Sequence, residues 1–143
     1  MLMKVAEFRA DFPDDRIEEN GEIVRTPGLN VATELSEMLR KAGYAVEPPE
    51  PHSYYGWSFI VRADDRRIWI MIQGGNDWIL LSEDESTLMS WIWPSRGKTH
   101  ENVMNSLEAG LARDPRFGPR TWYRDRKVYG KAMSARYVAR NKS

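Results

Sequence analysis

Two runs that alternate apolar and polar residues, Tyr55 to Ala63 and Arg66 to Gln73, stand only two residues apart, and this spacing constrains the fold more than any other feature. The separating pair, Asp64-Asp65, has the length of a tight hairpin turn, although it lacks the glycine such turns prefer. Pairing Ala63 with Arg66 sets Val61 against Ile68, Phe59 against Ile70 and Trp57 against Ile72, which makes one face continuous and apolar. The next turn, Gly74-Gly75-Asn76-Asp77, brings Trp78 opposite Gln73 and puts Ile79 and Leu81 on that same face. An antiparallel sheet centred on residues 55 to 82 follows.

Helices and shorter strands surround it. Val31, Leu35, Met38, Leu39 and Ala42 fall at three- and four-residue spacings and predict a helix over 27–42, with Thr26-Pro27 as cap and first turn and Gly43 as a left-handed end. Val103, Met104, Leu107 and Leu111 predict a second over 99–112, capped by Thr99 and ended by Asp114-Pro115. Short strands are expected around Phe8 and Phe12, over Tyr44 to Glu47 and over Arg120 to Arg124, and Leu88 to Trp93 fits a helical turn by Leu88 and Ile92 or, as favoured, a fourth strand by Met89, Trp91 and Trp93. The acidic stretch Asp14 to Glu22 around Asn20-Gly21 reads as a solvated loop or hairpin tip. The expected architecture is α+β, with an antiparallel sheet of about four to six strands and two main helices packed mainly on one face.

At 143 residues the chain matches a single domain that buries roughly 68 to 70% of its unfolded surface. The absence of cysteine removes disulfides, thiol catalysis and thiolate metal sites. No run approaches the apolar length of a membrane span and the start lacks a signal peptide's pattern, so a cytoplasmic protein is expected. The net charge of zero hides an uneven distribution: from Arg116 onward there are nine basic residues and one acidic, and before it 12 basic and 20 acidic. A body of −8 thus carries a C-terminal segment of +8. We therefore expect a single domain over 1–124 and a basic tail over 125–143 that is docked or disordered, meeting either its own acidic body or an anionic partner.

The sheet's second face yields the main candidate site. By the same register Ile60 lies opposite Trp69, Met71 opposite Leu80, and Trp78 beside Gln73, while Arg62 directly opposes Arg67. Such a face is either covered by a further layer or offered to a protein partner or a second copy. Like charges across a strand pair are unfavourable, so Arg62 and Arg67 imply a bridging carboxylate from the chain or from a partner. Tyr54-Tyr55-Gly56-Trp57 is a second aromatic candidate, more simply explained by a strand start that bends at glycine. In the basic segment Arg120, Trp122, Arg124, Arg126 and Lys127 offer phosphate contacts and a stacking surface, an alternative nucleic-acid site without any recognised motif.

Local signatures of catalysis are missing. His52 and His100 stand without an acid or nucleophile at motif spacing, and both are expected at the surface. The acidic loop lacks a calcium loop's ligand pattern, and no phosphate-binding loop, dinucleotide fingerprint or metal-ligating pair occurs, so neither cofactor nor metal is expected. Dispersed carboxylates meeting in a cleft would leave no local trace and keep an enzyme open.

The run Thr26-Pro27-Gly28-Leu29-Asn30-Val31-Ala32, with Leu35, Leu39, Gly43-Tyr44 and Tyr55-Gly56-Trp57, resembles a pattern in small uncharacterised bacterial α+β proteins, some of which neutralise toxins in interbacterial competition. The resemblance spans Thr26 to about Leu81 and carries structural positions only. It implies a bacterial binding protein; with the missing catalytic constellation and the doubly apolar sheet, the expectation is a non-enzymatic protein-binding module, an immunity or inhibitor protein that occludes a partner such as a toxin or a host-defence factor.

Overall fold

The computed structural model describes residues 2–52, 56–74, 77–86 and 97–141. Its first half runs β1 (Val5–Ala10), β2 (Ile17–Glu19), β3 (Glu22–Arg25), α1 (Leu29–Lys41), β4 (Ala45–Val46) and β5 (Glu50–His52). Then follow β6 (Gly56–Ala63), β7 (Arg66–Gln73), β8 (Trp78–Asp84), α2 (Lys98–Arg113), β9 (Phe117–Tyr123) and α3 (Arg126–Asn141). The fold is α+β. Seven strands make one antiparallel sheet in the order β4, β6, β7, β8, β1, β9, with β5 beside β4 on the same edge of β6. β2 and β3 form a separate two-stranded hairpin.

The β6–β7 pairing is the one the alternation requires, from Trp57 opposite Ile72 to Ala63 opposite Arg66. Asp64 and Asp65 take left-handed angles, φ 51° and 61°, so short polar side chains replace the glycine of this turn. α1 and α2 lie on one face of the sheet. Val31, Leu35, Leu39, Val103, Leu107 and Leu111 pack there against Phe8, Phe59, Val61, Ile68, Ile70 and Ile72.

Both helix starts differ from expectation. Gly28, at φ 120°, takes the cap position of α1, and the exposed amides are met from a distance: the Asp15 carboxylate accepts from Gly28 N–H at 2.8 Å and Asn30 N–H at 2.7 Å. Gly97 begins α2, while Thr99 turns its hydroxyl away to donate to Asp64 Oδ2 at 3.0 Å. Gly43 does close α1 in a left-handed conformation. Residues 88–93, read as a strand, lie outside the described residues.

α3 is a third helix in the basic segment. Arg126, Tyr129, Met133 and Arg136 fall at three- and four-residue spacings and face the sheet. Because charged residues stand at both ends of that stripe, hydrophobic periodicity does not announce the helix.

Candidate functional site

The two faces of β8 are exchanged relative to expectation. Gln73 pairs with Ile79, Ile72 with Leu80, Met71 with Leu81 and Ile70 with Ser82, a slip of one residue that inverts every side chain. Leu80 is therefore fully buried on the helix side, and Trp78 packs there against Gly28. Four consecutive apolar residues, Trp78 to Leu81, cannot choose between registers by themselves. Ser82 can: in this register its hydroxyl donates to the Lys4 carbonyl at 2.7 Å and meets His100 Nε2 at 2.8 Å.

The seven residues read as one partner surface are thus divided. Ile60, Met71, Trp69, Arg62 and Arg67 remain on the second face, whereas Trp78 and Leu80 do not. Ile60 is 8% exposed and Met71 7%, whereas Trp69 is half-buried and shares a groove of about 480 Å³ with Glu47, Ser58, Arg67 and Glu85. Each arginine has its own carboxylate, Glu47 at 3.3 Å from Arg62 and Glu85 at 3.7 Å from Arg67, which relieves the like-charge pair from within the chain. Trp69 is bracketed edge-on by His52 and from above by the Arg126 guanidinium, 5.8 Å from its centroid.

α3 closes much of the rest. Arg136 donates to Glu7 at 2.9 Å and to the Tyr123 hydroxyl at 3.0 Å, Arg126 approaches Glu83 at 3.8 Å, and Tyr129 sits edge-on to Tyr123. The hydrogen bond from Arg136 to Glu7 raises the guanidinium's pKa further, and burial raises that of the Tyr129 hydroxyl. The basic segment therefore meets its own acidic body. None of its residues is fully buried, so polar contacts hold it more than packing does.

That docking divides the nucleic-acid candidates as well. Arg120 forms a two-pronged pair with Glu108, at 2.9 Å from each oxygen, and projects towards α2. Trp122 packs against the core with its Nε1–H buried and without a partner among the described residues. Arg124 pairs with Asp125 at 3.3 Å, Arg126 serves Trp69 and Glu83, and Lys127 faces outward. These five do not share one surface.

His100, expected at the surface, is 1% exposed. The Ser82 hydroxyl gives its single proton to Lys4's carbonyl, so His100 must donate from Nε2. Burial, reinforced by the charge of Lys4, lowers its pKa to about 4 against an opposing pull from Asp84. A serine beside a histidine invites a catalytic reading, but both side chains are sealed and the serine's proton points away from the ring. Two carboxylates, Asp114 and Asp125, are displaced in pKa, and both are lowered, by hydrogen bonds from Arg116 and from the Val128 amide respectively. No group of three His, Asp or Glu is placed to hold a metal among the described residues, and no described helix is long and apolar enough to cross a membrane.

Trp57 is structural, its Nε1–H donating to the Thr26 carbonyl at 2.9 Å. At Gly56 an added Cβ would stand 2.1 Å from the Ile72 carbonyl oxygen, so glycine is there for close backbone approach. Tyr54 and Tyr55 lie outside the described residues.

The exposed apolar surface lies partly on the β2–β3 hairpin, in the stretch expected as a solvated loop or hairpin tip, and it is the hairpin that forms. Asn20-Gly21 turns it with left-handed angles at both positions, and every residue from Ile17 to Val24 is exposed. Among the described residues, the exposed large hydrophobics are Ile17, Ile23 and Val24 on this hairpin and Tyr137 and Val138 on α3. A two-stranded hairpin is marginal in water by itself. This one is held at its base, where Arg25 donates to the Asp15 carbonyl at 3.0 and 2.6 Å while Asp15 caps α1. Beside the base lies a cavity of about 370 Å³ lined by Phe12, Asp14, Gly28, Asn30 and Trp78.

The edges reinforce the contrast. Pro119 on β9 and Pro48, Pro49 and Pro51 on the β4–β5 side blunt the two outer edges of the main sheet, whereas the hairpin contains no proline. At its tip Glu19 directly opposes Glu22, and neither has an ion pair among the described residues. The signal was present as Ile17-Glu18-Glu19-Asn20-Gly21-Glu22-Ile23-Val24, two short strand-compatible runs about an Asn-Gly turn. No family model matches the chain, and neither a curated protein nor a solved structure does, so a function has to be read from this geometry.

Proposed function

We propose that this chain is a non-enzymatic protein-binding module of the immunity or inhibitor kind, which neutralises a partner by occlusion and uses the β2–β3 hairpin as its binding arm. One observation carries the reading: a hairpin with three exposed aliphatic side chains stands off an edge-blunted sheet that exposes no large hydrophobic among the described residues. Exposed apolar residues gathered on one element mark interaction sites more than scattered ones do. The base is tied to the start of α1, so the arm is presented in a preformed geometry, which lowers the ordering cost of binding.

A photoreactive residue in place of Ile23 or Val24 provides the test, with the same residue at exposed Thr121 on β9 as control. The expected result is one defined crosslinked protein from the hairpin positions, absent at Thr121 and lost when unmodified protein is added in excess. Addition of the chain at equal stoichiometry should then suppress that partner's activity, and Ile23→Asp with Val24→Asp should abolish the suppression. Crosslinking no different from the Thr121 control would remove the hairpin as the arm.

A further inference from the structure

We infer that two copies of this chain associate reciprocally, the hairpin of each docking on the outer side of α3 of the other. The inference rests on the reading of the hairpin as a docking element and names a second copy as an occupant. The five exposed large hydrophobics among the described residues are confined to these two elements, three on the hairpin and two on α3. Their charges are opposite. From Asp14 to Arg25 there are five acidic and two basic residues, and from Arg126 to Asn141 five basic and none acidic.

The complementarity extends to individual positions. On α3, Arg126, Tyr129, Met133 and Arg136 are spent on the sheet, which turns Lys127 and Lys131 outward one turn apart, while Tyr137 and Val138 stay exposed at the rim of the groove they share with Glu7, Asp77 and Ile79. Lys127 and Lys131 have no ion pair among the described residues. On the hairpin, strand alternation puts Glu22 and Val24 on one face with Glu19 opposite Glu22. Two lysines thus confront two carboxylates, with exposed apolar side chains beside them on both elements, and the like-charge pair at the hairpin tip gains the cations its own fold does not supply.

Placement allows both contacts at once. The hairpin base shares its cavity with Trp78 and Gly74, and the groove beneath the C-terminal half of α3 is lined by Asp77 and Ile79. Both elements therefore stand at the end of the sheet where β8 begins, so a two-fold pair satisfies two contacts with one operator. The surface involved is small, which puts the pair among weak, salt-sensitive associations.

The test is the mass of the full chain in solution by sedimentation across a concentration series, at about 20 mM and about 500 mM salt. The expected result is a doubled mass at the upper concentrations in low salt and a single-chain mass throughout in high salt. Glu19→Lys with Glu22→Lys, and separately Lys127→Glu with Lys131→Glu, should each weaken association about tenfold or more. Combining all four exchanges in one chain should restore it. All four positions are exposed, so circular dichroism should show the fold unchanged. A single-chain mass at every concentration in low salt, or association indifferent to both charge reversals, overturns the inference. Partner capture lost in Ile23→Asp with Val24→Asp, in a wild type that stays single-chain, would overturn self-association while leaving the binding reading intact.

Discussion

His100 couples the stability of the fold to pH through a buried imidazole. Its imidazole is sealed between α2 and β8, bonded to Ser82 in its neutral form, and its pKa is lowered to about 4 by burial. The unfolded chain would take up that proton near pH 6.5, so unfolding binds more protons than the native state holds between those values. The contribution is therefore complete above about pH 6.5, falls as the pH drops towards 4 and is exhausted below it, amounting to at most about 3 kcal/mol. Urea midpoints at pH 7 and pH 4.5 check this. His100→Gln, which keeps a donor for Ser82 without a titration, should flatten the acid-side decline relative to wild type. An equal decline in both chains would refute the account. Nothing in the sequence around Lys98-Thr99-His100 signals this burial, because it depends on the register of β8, which is set some 18 residues earlier.

At the scale of elements, Asp15 ties the base of the β2–β3 hairpin to the start of α1. Its carboxylate satisfies two amide donors at the start of α1, complements the positive end of the helix dipole, and shares its residue with the hairpin base through the Arg25 bond. Asp15→Ala should cost about 1 to 2 kcal/mol, the range of a lost N-cap. Hydrogen exchange should locate the effect, with faster exchange at the Gly28 and Asn30 amides and through β2 and β3, and none in β6 or β7. Protection unchanged at Gly28 and Asn30 would show that the cap is dispensable. Thr26-Pro27 looked like the cap because a hydroxyl before proline is the local pattern. A carboxylate that arrives from 13 residues away leaves no such pattern, and Gly28 at φ 120° shows the start was shaped for it.

Across the whole molecule, a stable core and an exposed arm are separable. The hairpin buries none of its residues from Ile17 to Val24, while the core cluster runs through the sheet and both helices on one face. Replacing residues 17–24 by Gly-Gly, with Asp15, Arg16 and Arg25 retained, should shift stability by less than about 1 kcal/mol, as expected for an exposed segment. The same deletion should abolish partner capture. A large loss of stability in urea would mean that the hairpin belongs to the core and is not a separate arm.

By itself the sequence determined the α+β class, the β6–β7 register and the inward faces of α1 and α2. These depend on periodicity within one element or across a two-residue turn, where neighbours in space are neighbours in the chain. Only the tertiary structure decided which face of β8 turns inward, since Trp78 to Leu81 are apolar on both sides and the choice fell to Ser82 and its distant partners. It also decided that α3 docks on the second face through ion pairs, which have no hydrophobic period, and that the exposed large hydrophobics among the described residues stand on the hairpin and α3.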